Sequence, residues 1–313
     1  MIEWKQLINA TVREIGKMYE LYQISEHDYY LECPSRTGLV KLNEHDVVLI
    51  DSGNDKDSGR KAFQHIDANE WNLKAIYITH SHADHIGGNK FLQEKTGCKI
   101  YANGLEAAFS NFPILEPIGL YGGNPYKELK GKFIMADQSE VLPLTPDVLP
   151  EGWELLKLPG HSFDMVGFKT ADGNAFIADS ISSPETIEKY GVLYMWDPDE
   201  ALKTLEELKS LKAKKFIPAH APVCDNLKKI IEKNEESIAK VKESIIEACG
   251  RAVSFEELLK TIFDEFNMEM TIQQHALVGS TIRNYLSCLK SKNMLTCDIE
   301  KNTMVWTISE EAI

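Results

Sequence analysis

The densest chemical signal in the chain is Thr79-His80-Ser81-His82-Ala83-Asp84-His85-Ile86-Gly87-Gly88, where four potential metal ligands fall within six residues. It follows the apolar run Ala75-Ile76-Tyr77-Ile78, which reads as a buried strand. A chain that turns sharply at a strand end can aim His80 and His82 at one point and Asp84 and His85 at a second beside it. Imidazole and carboxylate together suit divalent metals such as zinc, and the two glycines let the next helix start close to them. His27, His45, His65 and His275 have no such surroundings and read as surface or packing histidines.

The elements that must position this segment are legible from periodicity. Short strands are expected at 12–24, 28–33 and 38–42, followed by Val47-Val48-Leu49-Ile50 running into Asp51-Ser52-Gly53. A helix over about 58–70, the strand at 75–78, a helix over about 88–96 stopped by Gly97 and a strand at 98–102 continue the alternation. Residues 104–131 hold Pro113, Pro117, Gly119, Gly122, Gly123 and Pro125 beside Phe109, Phe112, Leu120, Tyr121 and Tyr126, which predicts a partly ordered loop with an apolar side, the makings of a lid. Strands are expected at 153–158, 165–170 and 175–178, the last two joined by a hairpin at Asp172-Gly173. A helix over about 199–211 and a strand at Lys215-Phe216-Ile217 complete two mixed sheets with helices outside. Beyond Pro222 the pattern becomes helical: 225–249 with Asp225 as N-cap and Gly250 as its stop, then capping boxes Ser254/Glu257 and Thr271/Gln274. Strands near 294–299 and 303–308 end the chain.

H-x-H-x-D-H followed by Gly-Gly resembles the signature of the metallo-β-lactamase fold superfamily, and later positions match it independently. His161 stands in Leu158-Pro159-Gly160-His161-Ser162, Asp179 ends Ala175-Phe176-Ile177-Ala178, and His220 follows Phe216-Ile217-Pro218-Ala219. The resemblance covers roughly residues 10–225. It implies an α/β fold, the metallo-β-lactamase αββα sandwich, in a catalytic domain of residues 1–240. Residues 241–313 resemble the small winged helix-like α+β domain that some members append. The resemblance further implies two divalent metal ions, zinc by expectation with iron or manganese as alternatives. His80, His82 and His161 would hold the first, Asp84, His85 and His220 the second, and Asp179 would bridge them. Asp51 would support the site from behind by accepting a hydrogen bond from a ligating imidazole.

Paired cations lower the pKa of bound water, so a metal-bound hydroxide is the expected nucleophile, with Asp84 orienting it or taking its proton. The di-iron redox members usually carry an acidic residue where His82 stands, which disfavours redox chemistry. The N-terminus lacks a basic start and an apolar stretch, so a cytoplasmic protein is expected and a role in antibiotic defence is not. The six cysteines have no C-x-x-C pairing and read as reduced structural thiols.

The chain carries 34 Lys and Arg against 48 Asp and Glu, a formal net charge of −14, which repels nucleic acid and anionic membranes. Residues 241–313 hold 7 basic against 11 acidic residues, a net of −4, unlike a domain that reads nucleic acid. Packing on the metallo-domain, closing one side of the cleft or forming a homodimer fits that unit better. Lys127, Lys130 and Lys132 read as a solvated basic edge. The leading expectation is therefore a metal-dependent hydrolase of a small-molecule ester, thioester, lactone or related bond. The alternatives are a metal-dependent ribonuclease or phosphodiesterase, with a short RNA end still open as substrate, and a non-enzymatic metal- or ligand-sensing regulator acting through the winged helix.

Overall fold

In a computed structural model the described residues are 18–312. Their first sheet runs β1 (Leu21–Gln23), β2 (Asp28–Leu31), β3 (Thr37–Lys41), β4 (Asp46–Ile50), β5 (Asn72–Tyr77), β6 (Lys99–Ala102) and β7 (Leu142–Pro143) in that spatial order. Neighbours are antiparallel as far as β4 and parallel from there on. The part of the expected first strand before residue 18 lies outside the described residues. The second sheet is β8 (Glu154–Lys157), β9 (Val166–Lys169), β10 (Ala175–Ser182) and β11 (Phe216–His220), with β10 and β11 parallel.

Burial on both faces explains the unbroken apolar character of β4. Val48 and Ile50 point between the sheets, onto Val166, Phe168, Phe176 and Ile217, while Val47 and Leu49 point outward onto helices. Those helices are α1 (Lys56–Ala68), capped by Asp55, and α3 (Asn89–Thr96), which follows the short α2 (Ala83–Ile86) and ends at Gly97 in the left-handed region. The outer face of the second sheet packs on α7 (Pro198–Ser210) and α8 (Lys228–Ala248). The order helix, sheet, sheet, helix is the expected αββα sandwich.

Residues 104–131 depart from the loop expectation. They form α4 (Gly104–Asn111), α5 (Leu115–Tyr121) and a 3-10 turn at Lys127–Lys130. Pro117 lies in the first turn of α5, where its missing N–H costs nothing, and Gly122 ends that helix at φ +75°. The helix α6 (Pro184–Tyr190), capped by Ser183, had no sequence counterpart.

The C-terminal unit contains β12 (Val253–Ser254), α9 (Phe255–Glu265), α10 (Ile272–Ser291), β13 (Leu295–Glu300) and β14 (Thr303–Ile308), with sheet order β12-β14-β13. Ser254 and Glu257 make the full capping box; Thr271 caps through the Gln274 N–H. Asp225 does not cap α8, which starts three residues later with Leu227 at the cap position; its carboxylate pairs with Lys215 instead. The expected division between residues 240 and 241 falls inside α8. That helix is continuous because Ile231, Ile238, Val241 and Ile245 form one buried stripe, shared by the second sheet and the C-terminal helices in a single core.

Candidate metal centre

The ends of β4, β5 and β11, the turn after β8 and the middle of β10, where the register shifts beyond Ala178, meet at one edge of the sandwich, and each delivers a polar side chain there. Close approach of backbones makes this possible. A side chain at Gly88 would have its Cβ 2.3 Å from the Ser52 carbonyl oxygen, and one at Gly160, at φ +121°, would meet the Ala201 nitrogen at 2.3 Å. Asp51 itself sits at φ +63°, a conformation uncommon for a residue with a side chain, which turns its carboxylate under the histidine segment.

Two clusters of ligand atoms result. His80 Nε2 and His82 Nδ1 are 3.1 Å apart, and His161 Nε2 lies 3.0 Å from the same His82 nitrogen. In the second cluster His220 Nε2 is 3.2 Å from Asp84 Oδ2, and His85 Nε2 is 3.7 Å from it. Asp179 stands between them: Oδ2 is 3.2 Å from His220 Nε2 and 3.5 Å from His161 Nε2, while Oδ1 is 3.2 Å from His85 Nε2. The groups His80/His82/His161 and Asp84/His85/Asp179/His220 are each tight enough for one ion. The structure thus brings together all seven residues expected from sequence as ligands.

Hydrogen bonds behind the clusters fix which nitrogen faces inward. Thr79 Oγ1 donates to Asp51 Oδ2 at 2.7 Å, so at 3.1 Å from His80 Nδ1 it can only accept, placing the proton on Nδ1 and a lone pair on Nε2. His85 Nδ1 donates to Asp51 Oδ2 at 2.8 Å, and the Thr79 N–H donates to Oδ1 at 2.8 Å. One carboxylate therefore orients an imidazole of each cluster.

The electrostatics fit a cationic occupant. Burial drives the pKa of His80 well below its usual value and that of His82 and His161 down to about 4, so all three present neutral imidazoles at pH 7. At His220 burial acts in the same direction but Asp179 and Asp84 override it, lifting the pKa to about 10; the same carboxylates hold His85 well above its usual value. Burial likewise opposes ionisation of Asp84 and Asp179, yet the His85 and His220 rings keep both carboxyls below the usual range. Asp179 Oδ1 is buried without a hydrogen bond. Neutral rings around one point, carboxylates needing positive charge around the other, and an orphaned oxygen between them suit divalent metals.

Several neighbours carried no sequence signal. Ser35 Oγ lies 2.9 Å from His85 Nε2. Glu106 of α4 is fully buried: Oε2 accepts from the Ser81 N–H (2.8 Å) and Ser81 hydroxyl (2.6 Å), and Oε1 from the Ser162 hydroxyl (2.7 Å) and Asp164 N–H (3.0 Å). It ties the His80–His82 turn to the His161 turn. Glu116 of α5 puts Oε1 3.9 Å from His82 Nε2, and burial, then the Glu106 charge, pushes its pKa up to about 8. Only the pattern of an acidic residue on an apolar helix could have drawn attention to either.

A cleft of about 700 Å³ opens over the clusters, lined by His82, Asp84, His161, Asp179 and His220, by Leu120 and Ile134 of the 104–134 stretch, and by Leu277 of α10. Among the described residues no helix is long and apolar enough to cross a membrane.

This geometry is an αββα sandwich with clustered groups that could hold metal ions at one edge, and comparison supplies the family. Residues 30–220 match the model described as the metallo-beta-lactamase superfamily, and the chain belongs to it. Hydroxyacylglutathione hydrolase 1 of Vibrio vulnificus (strain YJ016) is 26% identical over 193 residues, 60% of this chain and 63% of its own length. Hydroxyacylglutathione hydrolase of Vibrio campbellii is 25% identical over 173 residues, 55% of this chain and 56% of its own. The chain thus spans less than two thirds of the length of either relative. Among solved structures, a beta-lactamase domain protein from Burkholderia ambifaria superposes with TM-score 0.69 at 14% identity over 94% of both chains. A metallo-beta-lactamase family protein from Thermus thermophilus gives 0.67 at 16% identity, covering 92% of this chain and 97% of its own. Both share the fold.

Proposed function

We propose that this member of the superfamily is a dinuclear metal-dependent hydrolase of a small-molecule thioester, ester or lactone, with zinc as the metal and the cytoplasm as its compartment. The observation that carries the reading is the pair of ligand clusters joined at Asp179. His80, His82 and His161 would hold one ion, Asp84, His85 and His220 the other, and Asp179 would touch both. When bound, such ions supply Lewis acidity and a water acidified into the neutral range. The thioester arm draws on the relatives, which are named for that bond in hydroxyacylglutathione.

The protein's own groups do the rest. Asp84, with its side chain 40% exposed to the cleft, is placed to orient a water against the carbonyl carbon and to take its proton. Attack forms the new C–O bond, the C–S or C–O bond breaks, and the departing sulfur or oxygen leaves with a proton. Residues 241–313 are proposed as a winged helix-like unit that closes one side of the cleft and offers a homodimer contact rather than a nucleic-acid surface.

The test is metal analysis of purified protein together with rates on p-nitrophenyl esters, acyl thioesters, lactones, bis-p-nitrophenyl phosphate and single-stranded RNA. About two ions per chain and fastest turnover of a thioester or ester are expected, with both falling in Asp84→Ala. RNA cleavage far above every ester would replace this reading with a ribonuclease. Undiminished activity in a metal-analysed Asp84→Ala variant would remove Asp84 from its role.

A further inference from the structure

The cleft carries an apolar wall that the hydrolytic step does not need. It begins at the first cluster, where the Tyr194 ring packs edge-on at 5.0 Å from the His82 ring and 5.8 Å from the His161 ring. Tyr194 and Leu277 pack against Leu120, Leu129, Ile134 and Ala276, so the wall is built jointly by the 104–134 stretch and helix α10. It continues to the rim, where Phe133 is 81% exposed and Tyr190 46% exposed, both still lining the cleft. Large apolar side chains left in water beside a catalytic cleft mark a surface that a ligand covers. Lysine and arginine are sparse by contrast, while Asp84, Glu116, Asp179 and Glu185 all line the cleft. Lys189 is the one lysine or arginine among the described cleft-lining residues, and its ammonium is engaged by the Tyr190 ring at 4.7 Å and the Tyr190 hydroxyl at 3.1 Å.

We infer that the substrate is a thioester or ester with an unbranched apolar acyl arm, which lies along Tyr194, Leu277, Leu120 and Ile134 and emerges past Phe133. A glutathione conjugate, with a peptide carrying two carboxylates, is not the matching substrate. This inference rests on the hydrolase reading above and adds to it what the site selects. It also gives the C-terminal unit a defined part in the site, through Leu277.

The experiment is a series of acyl N-acetylcysteamine thioesters, from acetyl through butyryl and hexanoyl to octanoyl, run beside S-lactoylglutathione on metal-loaded full-length protein. Burial of each methylene raises kcat/KM about fourfold until the arm outgrows the wall, the equivalent of about 0.8 kcal/mol per group. Leu277→Asp should lower the octanoyl-to-acetyl ratio about tenfold or more. Leu277→Ala, with a smaller fall in the same ratio, serves if the charged variant does not fold. Calorimetry on chelated protein gives a reading independent of turnover: octanamide binds and acetamide does not. Hydrolysis of the acetyl thioester with no dependence on chain length, or lactoylglutathione outpacing every member of the series, overturns this inference and leaves the hydrolase reading standing. No turnover of any thioester or ester by metal-loaded protein overturns both.

Discussion

Glu106→Gln tests the architecture of the centre without touching a ligand. Each carboxylate oxygen accepts one backbone N–H and one serine hydroxyl, on a side chain with no exposure to water. Glutamine has one acceptor oxygen, so in either orientation its NH2 faces the N–H of Ser81 or of Asp164. A serine hydroxyl can rotate to accept from that NH2, but a backbone N–H cannot. One buried donor is left stranded, at about 1–3 kcal/mol, and the surviving hydrogen bonds lose their ionic character, at roughly 1 kcal/mol more. The expected loss is about 3 kcal/mol, read as a lowered denaturant midpoint at unchanged slope. Because Ser81 sits between His80 and His82 and Ser162 follows His161, the damage should concentrate on the first metal. Losing a group that orients ligands typically costs about 10–100-fold in affinity, on the dinuclear reading for one of two ions, measured by chelator competition. Wild-type stability with both ions retained would refute the reasoning. Equal weakening of both ions would show a general loss of order rather than a clamp on two turns.

The remaining predictions concern other links in the fold. Asp51→Ala removes the acceptor for His85 Nδ1 and for the Thr79 hydroxyl that faces His80, so affinity at both clusters should fall, by about 10–100-fold in the same competition assay. In chelated protein, His220 contributes stability that is full below pH 6.5 and is lost as pH rises toward about 10, whereas His82 and His161 take stability away as pH falls from 6.5 toward 4. Urea midpoints of chelated protein should therefore peak near pH 6.5; a flat profile would contradict both assignments. Since His85 and His220 carry protons in that state, loading metal at pH 7 should release about two protons, seen as a buffer-dependent calorimetric enthalpy. Phe168→Ala, between the two sheets with no exposure, should cost about 3–5 kcal/mol in equilibrium unfolding.

What was legible in the sequence divides along a physical line. Four of the seven expected ligands were crowded into one short segment after a strand, and His161, Asp179 and His220 were found through the family resemblance, so residue type and position together singled them out. The sandwich was legible for a similar reason: β4 and β5 are apolar on both faces, and Gly97 and the Ser254/Glu257 box mark helix ends by chemistry that acts within a few residues. Residues 104–131 were misread because their prolines and glycines were weighed without position. Pro117 in the first turn of α5 and Gly122 beyond its last are compatible with a helix, whereas the same residues mid-helix are not. Asp225 was misread for the converse reason. It looks like a cap locally, yet Lys215, ten residues away, offers its carboxylate an ion pair.

Glu106 and Leu277 were invisible for a further reason, which also bears on how the site works. Each is an ordinary residue on an amphipathic helix, and each acquires its role only from partners far away in the chain: Ser162 for Glu106, Leu120 and Ile134 for Leu277. The ligands specify chemistry through their own atoms, which sequence reports directly. Precision and selectivity are specified by what packs behind and above those atoms, which depends on the folded contact and not on residue type. A relative that keeps all seven ligands but replaces Leu277 or the wall around Tyr194 should keep the hydrolytic step and accept a different arm. The same separation lets one metal centre serve many substrates within a fold.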